Sequence, residues 1–285
     1  MSVSLTPSIP ESLVELIAAA KSVDGQPPFS DQSLLELERG DRTLVRTEHG
    51  AAIVGDDEVE LVIAPDERGR GRGAALVEFV LAAHPAVRYA WAHGDHPASR
   101  ALAKRFGFEP VRTLLKLHAP VSNGSLHDAI TAFRPGVDDA EWLALNARSF
   151  AGHPEQGKLT QRDLDDRIAE PWFLAEDFLV LRDDDDMIGF CWLKVEDGNA
   201  TDGTAVDSTA RSNSGEFYAV GIDPDRQGEG LGRALMDAGF ARLASRGIRT
   251  AELYVEADNE AALALYGRYG FTRHTIDVRY QRTGG

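Results

Sequence analysis

The chain has 285 residues, 43% apolar and 27% charged, enough for about two globular domains with a core in each. Thirty basic side chains stand against 46 acidic ones, and the formal charge of −16 excludes general nucleic-acid binding and attachment to an anionic membrane surface. A single cysteine, Cys191, excludes an intramolecular disulfide framework and a thiolate zinc cluster, and no metal is expected. The N-terminal MSVSLTPSIPES lacks a basic stretch followed by an apolar one, and no apolar run approaches the ~20 residues of a membrane span. The expectation is a soluble cytoplasmic protein that acts as a monomer.

In chain order, the first strong signal is VELVIAPDERGRGRGAALVEFVL, residues 59–81. It predicts a strand, a glycine turn and a helix. HPASRALAKRFGF, residues 96–108, predicts a second helix with an aromatic-Gly-Phe exit. Turn formers cluster in PVSNG, residues 120–124, and place the join between domains there. The expected domains are therefore 1–120 and 125–285. A strand follows at 129–133, then a helix at 138–150 with apolar residues at helical spacing and acidic residues in its first turn. Apolar runs at 178–181 and 187–195 flank four aspartates, Asp183 to Asp186, and predict an antiparallel hairpin. Residues 197–215 are rich in Gly, Ser, Thr and Asp and predict a mobile loop. A strand at 216–222, a helix at 228–246, a strand at 250–255, a helix at 259–268 and a closing strand at 271–280 complete the chain.

The second half repeats the first. YAVGIDPDRQGEGLGRALMDAGF, residues 218–240, aligns with 59–81 so that Pro65 meets Pro224, and Gly69, Gly71 and Gly73 meet Gly228, Gly230 and Gly232. NEAALALYGRYGF, residues 259–271, echoes 96–108. A repeat this long means two similar domains in tandem. The class is α/β or α+β, each domain a mixed, mostly antiparallel sheet flanked by helices.

A glycine turn between strand and helix lets the backbone approach a ligand closely, and the helix N-terminus offers unpaired N–H groups and a positive dipole end. Together they suit a pyrophosphate. The spacing of two fits neither a P-loop nor a dinucleotide fingerprint. The RGRGRG run is too short for an RNA-binding tract and sits where the second copy has QGEGLG.

The pattern Pro-x-x-Arg/Gln-x-x-Gly-x-Gly, followed some 30 residues later by Asn-x-x-Ala-x-x-x-Tyr-x-x-x-Gly-Phe, resembles the GNAT superfamily of N-acetyltransferases, in both halves. Four further segments resemble the mycothiol synthase family within it: residues 150–157 (FAGHPEQG), 192–195 (WLKV), 216–224 (EFYAVGIDP) and 254–259 (YVEADN). The resemblance implies acetyl-coenzyme A as co-substrate and the cysteinyl amine of cysteinyl-glucosaminyl-inositol as acceptor. It implies strand contacts to pantetheine from Val220, Gly221 and Ile222. It implies a diphosphate grip from Gln227, Gly228, Glu229, Gly230, Leu231, Gly232 and Arg233. Asn259, Glu260, Ala261, Ala262, Leu263 and Ala264 would border the pantetheine and thiol end. The first-half equivalents are Leu61, Val62 and Ile63, with Gly69, Arg70, Gly71, Arg72, Gly73 and Ala74.

Acyl transfer to an amine needs a base for the amine proton and is helped by an acid for the leaving thiolate. The resemblance makes Glu216 the general base and Tyr266 the general acid. On the residues alone, Glu216 could be an exposed strand-end glutamate and Tyr266 a core aromatic. In the first copy Ala103 stands opposite Tyr266 and Asp57 opposite Glu216, so the second half is expected to catalyse and the first to bind acetyl-coenzyme A without turnover. The resemblance also places Asp31, Glu176, Lys194, Glu216 and Tyr254 on the acceptor, Asp31 where the family usually has glutamate. Asp31 and Glu176 read equally as surface charge, and His153 as loop packing or contact. The alternatives on the same scaffold are an acetyltransferase for another small amine or peptide, and a non-catalytic acyl-coenzyme A sensor.

Overall fold

The computed structural model describes residues 9–125, 127–152, 156–196 and 213–283. His153 and most of the 197–215 stretch lie outside them. The elements run α1 (Glu11–Asp24), α2 (Asp31–Arg39), β1 (Thr43–Arg46), β2 (Gly50–Val54), β3 (Glu58–Ile63), α3 (Arg72–Ala83), β4 (Tyr89–His93), α4 (Pro97–Phe106) and β5 (Phe108–Pro120). They continue with β6 (Ile130–Ala132), α5 (Asp139–Ser149), α6 (Gln161–Ile168), β7 (Phe178–Asp183), β8 (Asp186–Lys194), β9 (Ser214–Ile222), α7 (Leu231–Ser245), β10 (Thr250–Glu256), α8 (Glu260–Arg268) and β11 (Thr272–Arg282). The chain forms two compact units, Met1–Leu115 with Thr275–Gly285, and Lys116–His274.

In the first unit β1, β2 and β3 form an antiparallel meander, and β4 joins β3 in parallel. Residues 275–282 of β11 lie antiparallel against β4, with Asp277 opposite His93 and Val278 opposite Ala92. β11 has β5 as its other neighbour, and the Thr283 N–H donates to the Gly107 carbonyl at 2.8 Å. The last strand of the chain thus completes the first unit. Strands β3 and β4 pair only through Glu58–Tyr89 and Val59–Ala90 and then part. α1, α2, β1 and β2 precede the first signal read from the sequence. β2 (GAAIV) is wholly buried and so has no polar alternation, and two alanines carry little strand preference.

In the second unit β7, β8 and β9 are antiparallel neighbours, β6 flanks β7, and β10 joins β9 in parallel. The aspartate run makes the expected hairpin. Asp184 takes φ 51°, a left-handed conformation that aspartate tolerates better than most residues. The core between this sheet and α5 is aromatic. Phe178 stacks on Phe133 and on Trp192, both at 4.2 Å, and Trp142 meets Phe178, Phe190 and Trp192 edge-on. Strands β9 and β10 pair only through Ser214–Thr250, Gly215–Ala251 and Glu216–Glu252, and then part as β3 and β4 do. The duplicated sequence therefore appears as a duplicated opening between parallel strands. Among the described residues no helix is long and apolar enough to cross a membrane.

Candidate active site

Each opening leads to a glycine turn and a helix N-terminus. Gly69 and Gly71 have φ of 74° and 79°, and Gly228 and Gly230 have 87° and 83°. A Cβ at any of these four would meet nothing within 4 Å, so the backbone conformation, not crowding, requires glycine there. The helix expected from residue 228 accordingly begins only at Leu231. Gly73 and Gly232 are helical and serve a different purpose. A Cβ on Gly232 would lie 3.1 Å from Ile222 and 3.3 Å from Leu265, and one on Gly73 would lie 3.2 Å from Leu102. The third glycine lets the helix close on its neighbours. Among the described residues no side chain caps α3 or α7, and neither has an acidic residue in its first turn. Both N-termini keep the donors and the positive dipole end that an anion needs.

The rims differ. In the first unit Arg68 holds Asp24 through two bonds of 2.7 and 2.8 Å, and Arg70 and Arg72 share Glu67. The RGRGRG run is a salt-bridged turn. In the second unit Glu229 is held by Arg226, which also reaches Asp183, whereas Arg233 projects into solvent 3.9 Å from Asp237.

β9 approaches its turn with a bulge. Trp192 is opposite Ala219 and Leu193 opposite Phe217, which leaves Tyr218 as the extra residue. Val220, Gly221 and Ile222 follow. A Cβ on Gly221 would fall 2.5 Å from the Phe190 ring, so this glycine is fixed by packing. Across the opening, Asn259 accepts from the Ala262 N–H at 3.1 Å and caps α8. Glu260, Ala261 and Ala264 are exposed, and Ala262 and Leu263 half-buried.

Glu216 lies on the last paired rung before β9 and β10 part. Successive strand residues face opposite ways. Phe217 packs on Phe240 of α7 and on Phe271, and Tyr266 of α8 packs edge-on against Phe271 at 5.8 Å. Glu216 and Tyr266 therefore approach the opening from opposite faces of the sheet. Burial pushes the Tyr266 phenol up to about 12, with Cys191 adding to the shift, so it holds its proton at neutral pH. Burial also pushes the Cys191 thiol up, and it is a core group.

On the Glu216 face, Lys194 is the rung neighbour on β8, 92% buried, with its ammonium 5.4 Å from the Trp172 ring and 3.2 Å from Glu196. Arg167 of α6 donates to the Tyr218 hydroxyl at 2.9 Å. Tyr254 is exposed, two residues beyond Glu252 on the same face of β10. The structure brings Lys194, Glu216 and Tyr254 onto one face. Glu176 is exposed in a short turn before β7, and Asp31 opens α2 in the first unit. Sequence reasoning missed Glu252, Lys116 and His118 on this face. Their signal was the alternation of KLH at 116–118 and of ELY at 252–254.

The first unit has its own cavity of about 420 Å³ between β3 and β4, lined by Leu61, Ile63, Gly69, Gly71, Gly73 and Ala74 among others. Its inner end carries charge. The His93 imidazole lies 3.1 Å from Asp277 and 3.4 Å from Glu60. Burial opposes the charge on His93, but the flanking carboxylates of Asp277 and Glu60 raise it to about 10. Asp57 is exposed in the turn before β3, and Ala103 is buried in the cavity wall. No phenol faces this opening from α4.

A family model described as Acetyltransferase (GNAT) family matches residues 141–271. "Mycothiol acetyltransferase" of Streptomyces avermitilis is 42% identical, with 98% of this chain and 93% of the relative covered. The protein of the same name from Sanguibacter keddieii is also 42% identical, over 98% and 94%. Among solved structures, a "Tandem GNAT protein from the clavulanic acid biosynthesis pathway" superposes with a TM-score of 0.67 at 15% identity, over 99% of this chain and 98% of that one, which bears on the fold alone. Identity at this level along nearly the whole chain, with two glycine turns at two strand openings, makes this chain an N-acetyltransferase that belongs to the mycothiol acetyltransferase family of the GNAT superfamily.

Proposed function

We propose that the second unit transfers the acetyl group of acetyl-coenzyme A to the cysteinyl amine of cysteinyl-glucosaminyl-inositol, giving mycothiol. One observation carries this reading. Both strand openings lead to an uncapped helix N-terminus, but only in the second does the last paired rung before the opening carry a carboxylate, Glu216, with a phenol, Tyr266, on the helix across it; the first has Val59–Ala90 on that rung and no tyrosine on α4. Glu216 takes the proton from the ammonium or the attacking amine, directly or through one water. An α-amine has a pKa near 7.7–8.0, so little driving force is required. The amine nitrogen attacks the thioester carbon, and a backbone N–H of the bulged β9 meets the developing oxyanion. The carbon–sulfur bond breaks, and Tyr266 protonates the departing thiolate. Residues 227–233 hold the diphosphate, with Arg233 at the rim. Lys194, Glu176 and Tyr254 meet the polyol. The first unit holds acetyl-coenzyme A without turning it over. Every group invoked lies on one chain, so a monomer suffices.

The test is mass spectrometry of the product from acetyl-coenzyme A and cysteinyl-glucosaminyl-inositol. The expected product gains one acetyl group on nitrogen and leaves the cysteine thiol titratable. No thiol release with any amine would instead make the protein an acyl-coenzyme A sensor, and turnover of other amines alone would change the acceptor. Tyr266→Phe is expected to slow kcat by about 10²-fold, the low end of what an acid contributes, because a thiolate is already a fair leaving group. Steady-state thiol release measures this, and an unchanged rate in a folded variant removes Tyr266 as the acid.

A further inference from the structure

Glu216 does not stand alone on its face. Its rung neighbour on β10 is Glu252, whose side chain points the same way across a strand spacing of about 4.8 Å. Carboxylates on the same face of one rung disfavour each other's ionisation. A base for an ammonium needs Glu216 ionised at neutral pH.

The surroundings of Glu252 supply the remedy. The Lys116 ammonium lies 2.8 Å from its Oε2, and both side chains are largely shielded, at 15% and 17% exposure. The His118 imidazole lies 3.4 Å from its Oε1 and stacks on His274 at 3.8 Å. Burial holds His118 below its ordinary value, so at neutral pH it is an uncharged neighbour. Glu252 is held below the usual carboxylate range: burial opposes this, but the bond to Lys116 and its charge, with smaller help from His118 and a bond from Ser214, together outweigh it. Seen from Glu216, β8 presents Lys194, paired with Glu196, and β10 presents Glu252 and Tyr254. Beyond β10, β5 presents Lys116 and His118, β11 presents His274, and α6 brings Arg167 to Tyr218. Across the strands the row reads cation, anion, anion, cation.

We infer that Lys116 is a positioning residue for the reaction: by pairing with Glu252 it keeps Glu216 available as a carboxylate. The inference rests on Glu216 being the base. Removing Lys116 leaves two adjacent anions and one cation, and the pair then takes up a proton at a higher pH. Removing the Glu252 charge makes Lys116 dispensable.

The experiment is the pH profile of kcat/KM with acetyl-coenzyme A and cysteinyl-glucosaminyl-inositol for the full chain and for Lys116→Met, Glu252→Gln and the double variant. Ionisation of the amine is common to all four, so differences belong to the protein. Lys116→Met is expected to move the acid limb up by about one pH unit. Glu252→Gln is expected to move it down or leave it in place, and the double variant to follow Glu252→Gln. A purely structural Lys116 would lower activity without moving the limb, and that outcome overturns the inference. So does a limb raised equally in the double variant. If Lys116→Met does not fold, the limb of Glu252→Gln decides, because a rise there is incompatible with repulsion from Glu252. Glu216→Gln is measured alongside. Full turnover in that variant overturns the base assignment, whereas its loss together with an unmoved Lys116→Met limb overturns only the role of Lys116.

Discussion

Glu216→Gln is expected to lower kcat by about 10²–10⁴-fold near neutral pH and to leave acetyl-coenzyme A affinity nearly unchanged. Glutamine has the same shape and can still hydrogen-bond, but it cannot take a proton. The rung pairing of Glu216 with Lys194 and Glu252 tolerates an amide, so the strand keeps its register. The cofactor grip lies further along, at the turn after Ile222. The deficit should shrink as pH rises through about 7.7–8.0, where the acceptor amine increasingly arrives without its extra proton. Thiol release between pH 6 and 9, with calorimetry of acetyl-coenzyme A binding, separates the two effects. A variant that loses cofactor binding in step with turnover would assign Glu216 to the structure of the opening.

What the sequence revealed was local. Positive-φ glycines at 69, 71, 228 and 230, the Asp184 turn and the strand-to-helix order around each are written in neighbouring residues. The helix starts at Leu231, three residues beyond the 228 its pattern suggests, because Gly228 and Gly230 continue the turn. What escaped was distant in sequence. Glu60 is an acidic residue inside an apolar strand, a signal in itself, but its meaning depends on His93 and on Asp277, which arrives with the last strand. The closing strand at 271–280 was read correctly as a strand, yet nothing in its pattern says that residues from 275 onward pair with β4. The Lys116–Glu252 pair likewise joins positions 136 residues apart. Alternation in a strand shows which residues share a face and leaves open which strand lies beside it.

His93→Ala is expected to destabilise the first unit by about 3–5 kcal/mol, since it leaves two buried carboxylates without their cation. Glu60 is 1% exposed and Asp277 5%. Glu60 accepts from the Ser30 N–H at 2.7 Å and from the Ser30 hydroxyl at 2.8 Å, and Asp277 accepts from Gln26 at 3.1 Å and the Gly94 N–H at 3.0 Å. These bonds satisfy oxygens but do not balance charge. The sign of the pH dependence follows from the shifts. His93 is raised to about 10, so its contribution is complete below its unfolded value near 6.5 and is lost as pH rises through about 10. Burial works against the Glu60 charge, but the His93 charge and the bonds from Ser30 and Ser33 bring it down to about 2, so its contribution is complete above about 4.5 and is lost toward pH 2. The gap between wild type and His93→Ala should therefore be widest near pH 6 and narrow by pH 10. Hydrogen exchange of β3 and β4 amides at those two pH values reads it in the first unit directly. A gap of the same size at both would mean that His93 acts by packing and carries no stabilising charge. The same cluster explains why this cavity is expected to bind a thioester and leave it intact: an imidazolium held between two carboxylates has no free lone pair with which to take a proton from an amine.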